Sequence, residues 1–349
     1  MHARSVVATG LDVVTGEVFK KTLIPSDEAV IGWLRTLPGP VATTYEAGPT
    51  GFRLYRALTA AGIRCEVAAP SKLRRASGER VKTDAKDALL LAQLLQVGQI
   101  TSVRVPSVSE EAARDLVRAR EDVRGDLMSA RHRVSKLLLR HGHVYYGGET
   151  WSAKHHAWLR QIRFDQPGTR AAYEADLEAV EFAIARRDQL DATIAAMAAD
   201  SEFTATVRKL WCLRGVSTLT AFALAVEIGN WERFTGSSVG AYLGLVPSEH
   251  SSGQSRRQGS ITKAGNSHVR RLLIEAAWHH KPRYKVGKTL QARWDQAPAA
   301  ARARAHVGNQ RLHQRWAVYC ARKKKHTVAT TAIARELAGW CWSLATLPE

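Results

Sequence analysis

Cysteine is scarce and scattered in this sequence. The four present, Cys65, Cys212, Cys320 and Cys341, form no CxxC pair, so the chain offers neither a zinc site nor a disulfide framework and they read as reduced thiols. Long apolar runs are absent too. No stretch of about 18 uninterrupted apolar residues occurs, and the opening MHARSVVATG lacks a charged-then-apolar leader pattern, which predicts a cytoplasmic protein with no membrane partner. The third shortage is of acid. Asp and Glu number 32 against 51 Lys and Arg, leaving a formal charge of +19 and a pI near 10.2, a balance that points to a polyanionic partner, most simply nucleic acid.

That shortage is local. Between Arg256 and Lys325 stand 18 Lys and Arg against only Glu275 and Asp295, so +16 of the +19 sits in one stretch and the rest of the chain together carries +3. Aromatic and imidazole residues punctuate it: Trp278, His279, His280, Tyr284, Trp294, His306, His313, Trp316 and Tyr319.

With 45% hydrophobic residues over 349 positions, the chain can fill a substantial core and is comfortable as two domains or more. Residues 5–25 hold two strand-like runs, SVVATGLD and EVFKKTLI, around a turn at Thr15-Gly16, a hairpin pattern. Ser26 then caps a helix, EAVIGWLRTL, which stops at Pro38-Gly39-Pro40. A strand (41–48), a helix (52–61), a strand (63–70) and an apolar helix from Asp84 follow. The β-β-α-β-α-β-α order predicts an α/β domain with a mixed sheet.

From Ser109 to about His141 the apolar residues fall in heptads. Leu116, Val123, Ala130 and Leu137 repeat every seven, with Ala113, Leu127 and Val134 between them, although Arg120 and Gly125 interrupt the seam. A second stretch runs from about Arg170 to Met197 through Tyr173, Leu177, Val180, Ile184 and Ile194. Two long helices separated by YYGGETW read as an antiparallel coiled-coil arm, as one arm of a dimer, or as part of a plain bundle. Further on, LRGVSTLTAFALAVEIG resembles a helix-hairpin-helix whose turn amides can hold a backbone phosphate. The tail RELAGWCWSLA is an apolar helix suited to packing.

Three carboxylates carry the chemistry. Asp84 and Asp87 lie three apart on one helical face, and Glu46 ends a predicted strand in TYEAGPTG. Hard divalent cations want converging carboxylate oxygens, and two-metal phosphoryl transfer needs several. Carboxylates in a first helical turn are also favourable with the helix dipole alone, and both readings stand at this point. A Ser/Gly loop beside arginines, EHSSGQSRR, likewise reads either as a phosphate grip or as the site of a nucleophile.

Taken together, TYEAGPTGF, AAPSKL, KTDAKDA, LRGVSTLTAFALAVEIG, AYLGLVPSEHSSG and GSITKAGNSHVRRLL, in this order over nearly the whole chain, resemble the DEDD transposases of the insertion-sequence-110 family, RNA-guided DNA recombinases. The resemblance implies a ribonuclease-H-like, resolvase-like domain over 1–104, a coiled-coil arm over 105–204, and a mainly α transposase domain over 205–349 with its serine loop and basic region. It implies catalytic, metal-holding roles for Glu46, Asp84 and Asp87, matching the family's second, third and fourth acidic residues, with Mg²⁺ as cofactor. The nucleophile it implies is Ser252, with Ser251 second, joined to the acidic cluster in a composite site.

Arg256, Arg257, Lys263, Arg270 and Arg271 are the expected nucleic-acid contacts. The implied partners are DNA (element ends and target), a guide RNA from the same element, and further copies of the chain as a dimer or tetramer, in the bacterial cytosol near the nucleoid. Family members usually begin with an apolar-Gly-(Ile/Leu)-Asp-Val strand followed by a turn such as His-Ala-Arg-Ser. Here HARS stands at 2–5, so the first strand and its Asp are expected just upstream of Met1. Asp12, in GLDV, is expected near a hairpin tip and not in the site. Two other functions fit the residues alone: a structure-selective nuclease of the resolvase class, and a nucleic-acid-binding remnant of a mobile element.

Overall fold

A computed structural model describes residues 4–73, 83–253, 255 and 257–348. The chain divides into two compact units, one ending at Ser107 and one beginning at Val108.

The first unit realises the β-β-α-β-α-β-α order. Strands β1 (Val6–Leu11) and β2 (Val18–Leu23) form an antiparallel hairpin, with Val6 opposite Leu23 and Leu11 opposite Val18. Helix α1 (Asp27–Leu34) starts where Ser26 Oγ accepts from Ala29 N, satisfying one of the amides a first turn leaves open. Strand β3 (Ala42–Glu46), helix α2 (Arg53–Ala60) and strand β4 (Arg64–Ala68) make a β-α-β crossover, and β3 and β4 pair in parallel. Helix α3 (Asp84–Gln96) closes the unit, its amino terminus capped by Thr83, whose Oγ1 accepts from Lys86 N. Val30, Leu34, Tyr45, Leu54, Leu58 and Val67 make the core.

One expectation changes. In place of a single mixed sheet the described residues form two two-stranded sheets, because β1 and β3 do not pair with each other.

The second unit is almost wholly helical. Helices α4 (Val108–Arg140) and α6 (Pro167–Ala199), 33 residues each, pack along one another, joined through the short α5 (Ala153–Leu159). They run antiparallel: Arg120 pairs with Asp191, and Arg133, further along α4, with Asp176, further back along α6. The buried stripe holds Ala113, Val123, Leu127, Ala130, Val134 and Leu137 of the heptad set. Arg120, out of place in an apolar seam, is accounted for by its bidentate bond to Asp191 (2.6 and 3.1 Å).

Helices α7 (Thr204–Leu210), α8 (Thr218–Ile228) and α9 (Ser238–Tyr242) come next. A hairpin of β5 (Pro247–Glu249) and β6 (Gln258–Ile261) delivers the chain to α10 (Ser267–Trp278). Helices α11 (Lys288–Trp294), α12 (Ala299–Ala321) and α13 (His326–Ala345) complete the unit. Its core takes in α8 almost entire, Leu273 and Ala277 of α10, Trp316 of α12, and Ile333, Leu337, Cys341 and Leu344 of α13. No helix among the described residues is long and apolar enough to cross a membrane.

Candidate active site

Glu46 is the last residue of β3, and Asp84 and Asp87 occupy the first turn of α3. All three line one cavity of about 990 Å³ in the first unit. Among the described residues no three His, Cys, Asp or Glu side chains gather into a metal-binding group, so the carboxylates share a space without closing a cage. Their chemistry nevertheless suits Mg²⁺, which is commonly held by one or two carboxylates and completes its shell with water and substrate phosphate oxygens.

Asp12 follows β1 in the hairpin turn. Its carboxylate accepts from Thr15 N (3.1 Å) and Val14 N (2.8 Å), which hold its pKa below the ordinary carboxylate value. It fastens the turn locally, and it lines the same cavity as Glu46, Asp84 and Asp87.

Ser251 and Ser252 sit at the tip of the β5–β6 hairpin. Ser252 N donates to Ser255 O and Ser255 N to Ser252 O (3.1 and 3.0 Å), while Ser251 Oγ donates to Glu249 Oε1 at 2.9 Å. Both serines are exposed, as are Arg257 and Lys263; Arg256 lies outside the described residues. The other two expected contacts are occupied internally. Arg270 Nη1 donates to the carbonyls of Leu243 (2.9 Å) and Ala264 (2.7 Å), and Arg271 bonds Glu121 and Glu275.

A charged network that sequence reasoning missed joins α4, α8 and the start of α10. Glu227, at 6% exposure on apolar α8, takes a bidentate pair from Arg118 (3.0 and 3.1 Å) and a bond from Asn266 Nδ2 (2.9 Å). Asn266 in turn caps α10 through Val269 N. Burial opposes the Glu227 charge, but the His268 ring and the Arg118 and Arg114 guanidiniums outweigh it and hold the pKa down at about 2. The legible signal was a single carboxylate inside TLTAFALAVEI, where a charge must be paired to be buried.

The turn before α8 packs inward. Gly215 has φ +83°, and a Cβ there would overlap the carbonyl of Ala276. Leu213 N and Val216 N bond within the turn, and Arg214 N donates to Asn309 Oδ1. These three amides serve the fold, so the expected phosphate grip does not rest on them.

The basic stretch divides in the same way. Trp316 is buried with Nε1 on Ala277 O, Trp294 Nε1 donates to Cys212 O, and buried His280 has its pKa pushed down to about 3 by desolvation and the nearby Arg214 charge. These rings build core. The exposed cations cluster between α10 and α11 (Lys281, Arg283, Lys285) and between α12 and α13 (Arg322, Lys323, Lys324, Lys325).

Two family models match the chain. The DEDD transposase model of the IS110 type covers residues 1–142, and the model described as the transposase IS116/IS110/IS902 family covers residues 207–294. The chain is 40% identical over 302 residues to the putative transposase y4qE of Sinorhizobium fredii (strain NBRC 101917 / NGR234), spanning 86% of this chain and 74% of that protein. It is 28% identical over 333 residues to the transposase for insertion sequence element IS1533 of Leptospira borgpetersenii, spanning 93% and 96%. Over a shorter segment of 90 residues, 26% of this chain and 27% of the other, it is 32% identical to the transposase for insertion sequence element IS1328 of Yersinia enterocolitica.

Proposed function

This chain belongs to the IS110 family of transposases, and on that premise we propose that it moves an insertion sequence by guide-RNA-directed cleavage and exchange of DNA strands. The observation that supports this reading is that Glu46, Asp84 and Asp87, from two elements far apart in sequence, line one cavity. We read the first unit as a ribonuclease-H-like domain, the α4–α6 pair as a coiled-coil arm that joins copies of the chain into a dimer or tetramer, and the remainder as the transposase domain.

Glu46, Asp84 and Asp87 would hold Mg²⁺, which when bound neutralises phosphate charge and lowers the pKa of an attacking oxygen. The chain's own nucleophile is Ser252. Its Oγ gives up a proton and bonds to phosphorus, the bond from phosphorus to the sugar oxygen breaks, and that oxygen takes a proton as it leaves. A sugar hydroxyl of the exchanged strand then attacks the same phosphorus and releases the serine. Arg257 and Lys263 stand in the same exposed hairpin region and would offset the charge that builds on the phosphate. The exposed clusters at 281–285 and 322–325 would grip RNA and DNA backbones.

One observation favours a second nucleophile. The bond from Ser251 to Glu249 provides a carboxylate that can take the hydroxyl proton.

The test is to incubate the full chain with DNA carrying the element ends, the RNA encoded beside the gene, and Mg²⁺, and to look for protein covalently joined to DNA. We expect an adduct that Ser252→Ala and Glu46→Gln abolish and Ser251→Ala preserves. An adduct lost only in Ser251→Ala moves the nucleophile. Cleavage with no adduct makes the protein a nuclease of the resolvase class, and binding with no cleavage makes it a remnant.

A further inference from the structure

The end of the α4–α6 arm where α5 sits carries a charge that the proposed chemistry does not use. From Arg131 to Arg163 the sequence has seven Lys and Arg against a single acid, Glu149. That stretch is +6 and residues 256–325 are +16, so everything else in the chain together is −3, and general basicity does not account for it. Two of the seven are neutralised nearby, Arg133 by Asp176 and Arg160 by Glu181. A third, Arg131, lies over the Trp151 ring, 4.9 Å from its centre. Lys136, Arg140, Lys154 and Arg163 are exposed and make no ion pair among the described residues.

The same end is built from rings. Tyr145 packs on His155 and Trp158, with ring centres 4.7 and 5.3 Å apart, and Phe164 packs edge-on against His141, His143 and Tyr173. Together with Leu137, Leu138 and Leu159, Phe164 and Tyr173 belong to an apolar core separate from the one around α8. The loop between α4 and α5 is held by this packing, since a Cβ at Gly147 would overlap the Tyr145 ring. One ring stays outside. Tyr146, between the packed Tyr145 and that glycine, is 89% exposed. The free cations border the same cluster: Arg140 precedes His141, Lys154 precedes His155 and Arg163 precedes Phe164.

We propose that this end of the arm binds an unpaired stretch of RNA, stacking a base on Tyr146 and holding the flanking phosphates with Arg140, Lys154 and Arg163. A phenol ring can stack only on a base with an open face, and in a duplex the neighbouring pairs cover both faces. Unpaired bases are a standing feature of folded RNA, in loops and bulges, whereas duplex DNA must be unstacked to offer one. A tyrosine on an anchored loop also gives up little conformational freedom when it binds. Charge argues against a second copy docking end to end, which would set +6 against +6. The contact is separate from the chemistry of the carboxylates and serines, and neither depends on the other.

The test measures binding of the full chain to three labelled probes: an RNA hairpin with an unpaired loop, its stem alone as a blunt RNA duplex, and a DNA hairpin of the same sequence. The basic clusters at 281–285 and 322–325 would grip stem and loop alike, so the difference between hairpin and duplex isolates the end of the arm. A chain with Lys323, Lys324 and Lys325 changed to Ala, run in parallel, keeps those clusters from masking it. Tyr146→Ala should weaken binding of the RNA hairpin about tenfold and leave the duplex unchanged, while Tyr146→Phe should match the parent. Arg140→Gln combined with Arg163→Gln should lower the salt slope of hairpin binding by about one. Unchanged hairpin affinity in Tyr146→Ala, or an equal loss on the duplex, overturns the proposal. An equal dependence of the DNA hairpin on Tyr146 overturns the choice of RNA. Vesicles of anionic lipid captured by the parent and not by Tyr146→Ala overturn it as well and give this surface to a membrane.

Discussion

Replacing Glu227 by Gln removes one charge from a nearly isosteric, fully packed position, and its cost can be worked from the structure. Glu227 is held at a pKa of about 2 against an ordinary 4.5, and each tenfold change in proton affinity between the folded and unfolded chain is worth about 1.4 kcal/mol. The folded value is depressed, so the stabilisation is fully present above pH 4.5 and is lost as pH falls through the range toward 2. At neutral pH this depression corresponds to about 3 kcal/mol. Arg118, whose side chain is 57% exposed, recovers some hydration when its partner goes, so we expect Glu227→Gln to cost about 2–3 kcal/mol.

Urea unfolding followed by tryptophan fluorescence reads this unit selectively, because nine of the ten tryptophans lie beyond Val108. The gap between the parent and Glu227→Gln should be widest near pH 7 and close steadily below pH 4.5, whatever acid does to the rest of the molecule. A gap that holds its size down to pH 3, or one under about 0.5 kcal/mol at pH 7, would refute the assignment of Glu227 as a paired buried charge. Arg118→Ala combined with Glu227→Gln should then cost less than the two single changes together.

Three further outcomes are expected. Cys320 is exposed, whereas Cys212 and Cys341 are buried with thiol pKa values pushed up to about 12; a thiol reagent should therefore label Cys320 fast and those two only after unfolding, and rapid labelling of all would contradict the packing. Gly215→Ala must place a Cβ against the Ala276 carbonyl at a positive φ and should lower stability by about 2 kcal/mol or more, read as a fall in Tm; an unchanged Tm would show that the turn gives way. Binding to duplex DNA should weaken by about 10³ or more between 50 and 200 mM salt, and Ala at Lys323, Lys324 and Lys325 should each reduce the slope by about one; a flat salt profile would remove those clusters from the interface.

The sequence carried the order of elements in the first unit clearly, since turn residues such as Thr15-Gly16 and the Pro38-Gly39-Pro40 breaker fix boundaries locally. Whether β1 and β3 pair was not written there, because pairing is a choice among distant edges and depends on what lies between them. The heptads of α4 and α6 exposed their buried faces by period alone. Among the expected site residues, Glu46, Asp84 and Asp87 were legible as motifs, and their sharing of a cavity came from the fold. Arg270 and Arg271 show the opposite limit: composition marks a guanidinium as basic but cannot say that it spends its donors on Leu243, Ala264, Glu121 and Glu275. For the same reason the place of Trp294 and Trp316 in a cationic stretch does not tell that their indole nitrogens lie on internal carbonyls.

The long pair α4–α6 is also a lever. At 33 residues a straight helix reaches about 50 Å. Two crossbars, Arg120–Asp191 and Arg133–Asp176, brace its length, and at its far end Tyr173 Oη ties to Leu159 O. Its foot bears, through Arg118, on the Glu227 carboxylate that also holds Asn266. A sideways push at the tip is felt at that fulcrum as a torque that grows with the length of the arm, and the group it meets there is the Asn266 cap of α10.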